Sequence, residues 1–414
     1  MSKIIFHIDV NSAFLSWSAL EKLKNNDEID LREIPAIIGG DQTRRHGVVL
    51  AKSVPAKKYG IVTGEPVVNA IRKCPNLVLE PPNHQLYDRK SKELMNLLLT
   101  CTPDIEQVSV DECFLEFTPI AHLYPSAITF ATRLGQQIKE QLGFTVNIGI
   151  APNKLLAKMA SDFQKPDKIH TLFENEITTK MWPLSVGELY GVGKASAARL
   201  TSLGIITIGD LANTNLGILT SHFKSHGKYM WESANGVDNS IVDSSHREVK
   251  GIGNSTTLST DVTTLEHANK VLLTLAESVA KRLRKKEHLA RSITVEIKYS
   301  TFKTTTHQTT LATPTSTTDI IYKCACSLFE EIWSGAAIRL LGIRTAKLEA
   351  TDTPVQLSMF DLDNNDSNST NTFLDTNTTN VANEKLQKLD AALDSIRQKH
   401  GQDAITRGSL MKNE

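Results

Sequence analysis

Residues 105–117 read IEQVSVDECFLEF, with Val108, Val110, Phe114 and Leu115 flanking Asp111 and Glu112. Period-two alternation on both sides of a polar pair predicts two short strands with the acids at the turn between them. Residues 3–9, KIIFHID, form an apolar run ending in Asp9, and a helical pattern follows over 13–23, with Asn11 or Ser12 placed to cap it. Short strands are expected at 35–39 and 47–51, and amphipathic helices at 84–100 and 126–142. A strand over 144–151 precedes a helix over 153–163, on which Lys154 and Lys158, four apart, share one face. The order strand, helix, two strands, helix, strand fits a split βαβ layer with the segment 35–80 inserted. Such a sheet brings the end of the first strand beside the acidic turn.

Beyond residue 184 the pattern changes twice. Residues 184–212 carry Gly191-Val192-Gly193, a helical stretch and a Leu-Gly-Ile at 203–205, which together look like a helix-hairpin-helix. A Gly-x-Gly turn of that kind presents backbone N–H groups to a phosphate at a helix N-terminus. From Gly251 a second split βαβ order follows. It comprises a strand, a helix over 264–286, strands over 290–299 and 303–312, a helix over 318–333 and a strand over 338–348. The first of these helices ends in KRLRKK (281–286), and Arg291 follows; basic residues at a helix end and the next strand suit a duplex backbone. Residues 361–380 are rich in Asn, Asp, Ser and Thr, the composition of a disordered linker, and a short helix over 383–400 closes the pattern.

Chemistry enters with the carboxylates. Asp111 and Glu112 at a turn are either a solvated acidic turn or, with Asp9 converging on them, an oxygen-donor set for hard divalent cations such as Mg²⁺. The second arrangement is that of two-metal phosphoryl or nucleotidyl transfer. The stretch KSVPAKKYG at 52–60 puts three lysines on a short helix or turn, and Lys57 or its neighbours could neutralise a bound triphosphate.

Bulk composition narrows the picture little. At 414 residues, two to four domains are expected. Lys+Arg and Asp+Glu both total 46, so net charge advertises no nucleic-acid partner, but residues 246–350 hold 15 basic against 10 acidic side chains. Five cysteines (74, 101, 113, 324 and 326) make no CxxC or zinc spacing, and Cys324 and Cys326, in an expected helix, read as core thiols. No segment has the length of a signal peptide's apolar run or of a membrane span, so a soluble, reduced, cytoplasmic protein is expected.

The two acidic stretches, the hairpin and the apolar peptide QLSMF at 356–360, in this order, resemble the Y-family translesion DNA polymerases. The likeness is closest to the bacterial DNA polymerase IV (DinB) branch. SVDECFLEF and GIAPNKLLAKMASDFQKP (149–166) are its most specific segments. The resemblance implies an α+β multidomain right hand: a ferredoxin-like palm (1–17 and 80–172), small fingers (18–79) and a helix-hairpin-helix thumb (173–240). A βαββαβ little finger (246–350) and a disordered C-terminal tail (351–414) would complete it. It implies that Asp9, Asp111 and Glu112, with the Val10 carbonyl, hold two Mg²⁺ ions, and that Phe14 is a steric gate against ribonucleotides. Ser53, Lys57 and Lys158 would meet the nucleotide, and Gly191, Gly193, Lys194, Arg284, Lys285 and Arg291 the DNA. Gln356, Leu357, Met359 and Phe360 would dock on the replicative sliding clamp. Primer-template DNA and dNTPs are the implied substrates, the chain is expected to be a monomer, and no proofreading site is expected. The Ser53–Lys57 run departs from the family's Ser-Tyr-x-Ala-Arg, since Lys57 lacks the arginine fork and Val54 cannot donate a hydrogen bond. Two rivals share some features: a nucleotide cyclase, which leaves the hairpin and QLSMF idle, and a non-catalytic DNA-and-clamp-binding module.

Overall fold

The computed structural model describes residues 3–40, 47–245, 248–351, 376–401 and 404–410, which form two compact units dividing near residue 246. The first unit opens with β1 (Ile5–Val10), α1 (Ala13–Lys24), β2 (Ala36–Gly39), β3 (Val49–Lys52), α2 (Val54–Lys57), α3 (Val67–Lys73) and β4 (Val78–Glu80). Next come α4 (His84–Leu99), β5 (Ile105–Gln107), β6 (Glu112–Glu116), α5 (Ala127–Leu142), β7 (Val146–Ala151), α6 (Lys154–Asp162) and β8 (Ile169–Thr171). The main sheet runs β5-β6-β1-β7-β8. Every residue of β1 is buried, because it is the central strand with antiparallel neighbours on both sides. Phe6 stacks on Phe117, with ring centroids 5.2 Å apart, inside the core that α4 and α5 cover. On β7, a Cβ added at Gly149 would lie 2.0 Å from the Ala157 carbonyl oxygen. Only glycine lets α6 approach the sheet this closely, and that approach sets where the lysines of α6 fall.

The inserted segment forms a smaller sheet, β3-β2-β4. Helix α1 serves both layers: Ala13 and Trp17 join the main core, whereas Leu15 and Ala19 pack with Ala36, Ile38 and Ala51 of the small sheet. A boundary at 17/18 therefore cuts a continuous helix. Neither predicted cap holds α1. Ser12 takes a left-handed conformation (φ 48°) with no capping bond from its side chain, and the Asn11 amide donates to the Thr145 hydroxyl at 3.1 Å.

Four further α-helices follow among the described residues of this unit: α7 (Lys194–Ser202), α8 (Ile208–Asn213), α9 (Leu216–Phe223) and α10 (Ser225–Ala234). The first two flank the anticipated hairpin, and α8 starts at a reciprocal cap between Thr207 and Asp210. The sequence pattern did not predict α9 and α10.

The second unit contains β9 (Gly251–Val262), α11 (Leu265–Lys285), β10 (His288–Tyr299), β11 (Thr304–Thr315), α12 (Thr318–Ile332), β12 (Ile338–Ala350) and α13 (Thr376–His400). Its antiparallel sheet has the order β11-β10-β12-β9, with α11 and α12 packed on one face. The disordered tail needs correction, because α13 begins inside the stretch read as linker and docks on this unit. Asp390 is buried and accepts from Arg284 at 3.0 Å and from the Thr318 backbone N–H at 2.8 Å. Arg407 reaches Asp319 at 2.5 Å and Glu277 at 3.0 Å. Residues 356–360 lie outside the described residues. Among those described, no helix is long and apolar enough to cross a membrane, and all five cysteines are free thiols.

Candidate active site

Asp9 and Glu112 are direct partners in the β1–β6 ladder, so their side chains leave the same face of the sheet. The Val10 N–H donates to the Asp111 carbonyl at 3.1 Å, which pins the acidic turn to the end of β1. The Ser109 hydroxyl donates to the Asp111 carboxylate at 2.6 Å. Asp9 and Asp111 line one cleft.

Two ammonium groups stand among these acids. Lys158 Nζ lies 2.7 Å from Glu112, 3.4 Å from Asp162 and 3.9 Å from Asp9. Lys165 pairs with Asp9 and, at 2.7 Å, with Asp162. Burial opposes the charge on Lys158, but its hydrogen bond to Glu112 and the charges of Asp162, Asp9 and Glu112 prevail and raise its pKa. Burial raises the Asp9 pKa, and Lys165 and Lys158 offset only part of that rise. Three carboxylates, Asp9, Glu112 and Asp162, thus share two lysines, with Asp111 held beside them by Ser109. The donors are hard oxygens, the set that Mg²⁺ prefers. Among the described residues, no three acidic, histidine or cysteine side chains cluster tightly enough to hold an ion unaided. Backbone and substrate oxygens would have to complete the shell.

The cleft holds about 390 Å³ and is lined by Asp9, Val10, Phe14, Lys52, Lys57, Asp111 and Lys165, among others. Phe14 stacks on Tyr87 at 4.2 Å and meets the His84 ring edge-on at 6.3 Å, so its ring forms a braced wall. Lys158 does not line this cleft; Lys165 does. The sequence reading missed Lys165 because it lies beyond the end of α6, where helical spacing carries no signal. Ser53 also needs correction as a nucleotide contact. Its hydroxyl donates to the Ile34 carbonyl at 2.7 Å and accepts from Ala36 and Ala56 N–H, both at 3.1 Å. With those bonds made and the side chain buried, it caps α2.

His7 is a second residue that the sequence reading passed over. It is buried with Nδ1 2.8 Å from the Ser161 hydroxyl, which itself donates to the Lys158 carbonyl at 2.8 Å. Burial, with the charges of Lys158 and Lys165, pushes its pKa down to about 2, so the imidazole is neutral and ties α6 to β1.

The residues expected to contact DNA divide into two groups. Gly191, Gly193 and Lys194 are exposed, and Gly193 begins α7 with no side-chain cap, leaving the first N–H groups of that helix open to an anion. Lys285 is exposed as well. Arg284 and Arg291 are committed elsewhere: Arg284 to Asp390 and Asp394, and Arg291 to Glu349 at 2.6 Å and the Ala312 carbonyl at 2.6 Å. Guanidinium groups neutralised within the fold have little left for a phosphate, so both are corrected as DNA contacts. The face of the second unit's sheet turned away from its helices is instead polar, and Thr294, Thr306, Gln308 and Arg344 line a cleft of about 800 Å³ there. These are the outward positions of the strand alternation.

Residues 8–162 match the impB/mucB/samB family, residues 249–359 its C-terminal domain and residues 174–205 the IMS family HHH motif. The chain is 48% identical over its full length, and that of the relative, to a DNA polymerase IV of Clostridium acetobutylicum. It is 36% identical to a DNA polymerase IV of Alkaliphilus oremlandii, covering 99% of this chain and 100% of that one. A DNA polymerase IV 1 of Bacillus subtilis is 34% identical, with 100% of this chain and 94% of that one covered. A solved Y-family DNA polymerase chimera of Dbh and Dpo4 shares the fold, with a TM-score of 0.73 at 24% identity over 83% of this chain and 99% of that one. The chain therefore belongs to the impB/mucB/samB family and is a Y-family DNA-directed DNA polymerase of the bacterial DNA polymerase IV (DinB) branch.

Proposed function

We propose that this chain extends primers across damaged templates by two-metal nucleotidyl transfer, with Asp9, Asp111, Glu112 and the Val10 carbonyl holding two Mg²⁺ ions. The observation that carries the reading is the pairing of Asp9 with Glu112 across the β1–β6 ladder, with Asp111 pinned beside them. Bound Mg²⁺ supplies the charge that favours the primer alkoxide and the departing pyrophosphate. Asp9 and Asp111 orient that charge from the cleft wall, and Glu112 stands as the acid nearest the attacking hydroxyl. Lys158 neutralises Glu112 and Asp162, and so adjusts the acids and leaves the phosphates to others. Lys165, which lines the cleft, meets the triphosphate together with Lys57. Phe14, braced by Tyr87, closes the space a 2′-hydroxyl would need and so selects deoxynucleotides.

The open N-terminus of α7 with Lys194, together with Lys285 and the polar sheet face, would grip the primer-template backbone without reading bases. Residues 356–360 would dock on the replicative sliding clamp, and the chain would act as a monomer without a proofreading site. Extension of a primed template, with and without a lesion, tests the reading. Mg²⁺-dependent dNTP incorporation past the lesion is expected. Consumption of free ATP or GTP without a primer would favour a cyclase, and tight DNA binding with no incorporation would favour a binding module. Deleting residues 356–360 should abolish clamp stimulation while leaving basal extension intact.

A further inference from the structure

We propose that Lys52 binds the polyphosphate tail of the incoming nucleotide together with Lys57, an inference that rests on the nucleotidyl-transfer reading above. Lys52 is the last residue of β3 and is registered against Ile37 of β2. The three hydrogen bonds of Ser53 fix the chain where it leaves the strand, so the Lys52 backbone is rigidly placed. Lys52 is half-buried and lines the same cleft as Asp9, Phe14, Asp111 and Lys165.

The cleft's cations are not equally satisfied. Lys165 is paired with Asp9 and Asp162, and Lys73, which also bears on Lys52, is held by Glu65 at 2.7 Å. Among the described residues, neither Lys52 nor Lys57 has a carboxylate within 4.0 Å. Burial and the neighbouring charge of Lys57 work against the Lys52 ammonium and lower its pKa, and the charge of Glu65, which is itself held by Lys73, offsets only part of that fall. A half-buried ammonium beside a second one, with no carboxylate in contact among the described residues, is stabilised by an anion that the two share. That anion must carry more than one charge and be long enough to reach both lysines while its reacting end lies by Asp9 and Asp111. A metal-bound triphosphate has that charge and length. A template-strand phosphate is the competing occupant, and the test separates the two.

The experiment uses the full-length chain, measuring single-nucleotide incorporation and titrating Mg²⁺–tripolyphosphate directly. Lys52→Met keeps the apolar stem and removes the charge, whereas Lys52→Arg keeps a cation. Loss of one charge-assisted contact should raise the dNTP KM and the tripolyphosphate Kd of Lys52→Met roughly tenfold or more. The kcat, the primer-template Kd and the Tm should stay near wild type, and Lys52→Arg should recover most of the loss. Unchanged KM and tripolyphosphate Kd in Lys52→Met would overturn the proposal, as would a weakened primer-template Kd with unchanged KM. If the wild type extends no primer yet Lys52→Met still weakens tripolyphosphate binding, the polymerase reading fails and the polyphosphate site stands.

Discussion

Asp9 sits next to the end of a buried strand, where burial alone favours its neutral form, and the lysines around it favour the carboxylate. Replacing Asp111 or Glu112 by alanine removes an anion from that balance without opening the core, since neither residue is fully buried. Each variant should lose primer extension by roughly a hundredfold or more while binding DNA nearly as well as wild type. A coupled incorporation and anisotropy measurement checks this, and retained synthesis would reject the metal assignment. For Phe14 the brace is the argument. The ring is held parallel to Tyr87, so Phe14→Ala should open space beside the sugar and admit ribonucleotides, at about 1–3 kcal/mol of stability for the lost packing. Comparing rNTP with dNTP incorporation reads the first effect and denaturant melts the second; unchanged sugar selection would remove the gate role. At this scale the carboxylates were legible in the sequence, because Asp9 ends an apolar run and period-two alternation flanks Asp111 and Glu112. Lys165 and His7 were not. One lies past a helix end, and the other is a single buried histidine whose partner, Ser161, is 154 positions away.

The order of strands and helices follows the sequence pattern closely, and the elements that departed from it depend on distant partners. Helix α12 shows why. Its own N-cap residue, Thr317, makes no side-chain cap, and its hydroxyl is buried with no partner among the described residues. The cap comes from Asp390 on α13, 72 positions along the chain, which also joins Arg284 and Arg407. No local pattern could reveal that bond, and a low-complexity stretch beside it made the last helix read as a free tail. Asp390→Ala should therefore strip the cap and leave two arginines short of an acid, costing the second unit about 2–4 kcal/mol. Hydrogen exchange is the direct measurement, with faster exchange expected in the first turn of α12 and along α13 while β1, β6 and β7 stay protected. Unchanged protection of α12 would show that α13 contributes nothing to that unit.

For the whole molecule, balanced charge poses the problem of how a chain with 46 basic and 46 acidic residues holds a polyanion. Local exposure resolves it, because only cations left unpaired by the fold are free to displace counterions from DNA. Lys194 and Lys285 are exposed without an ion pair among the described residues, whereas Arg284 is spent on Asp390 and Asp394. Basic sequence runs do not distinguish these cases, which is why KRLRKK read as one uniform patch. The two kinds of residue should separate in the salt dependence of binding. Lys194→Ala should make the slope of log K against log salt shallower by about 0.9, the value for one phosphate contact. Arg284→Ala should leave the slope unchanged and appear instead as lost stability in the second unit, since its charge was already neutralised. Titrating primer-template into each variant over a range of salt, below the melting temperature of both, reads the slopes. A shallower slope for Arg284→Ala would mean that DNA pulls Arg284 away from α13, and the ion pairs would then be a contact that the nucleic acid replaces.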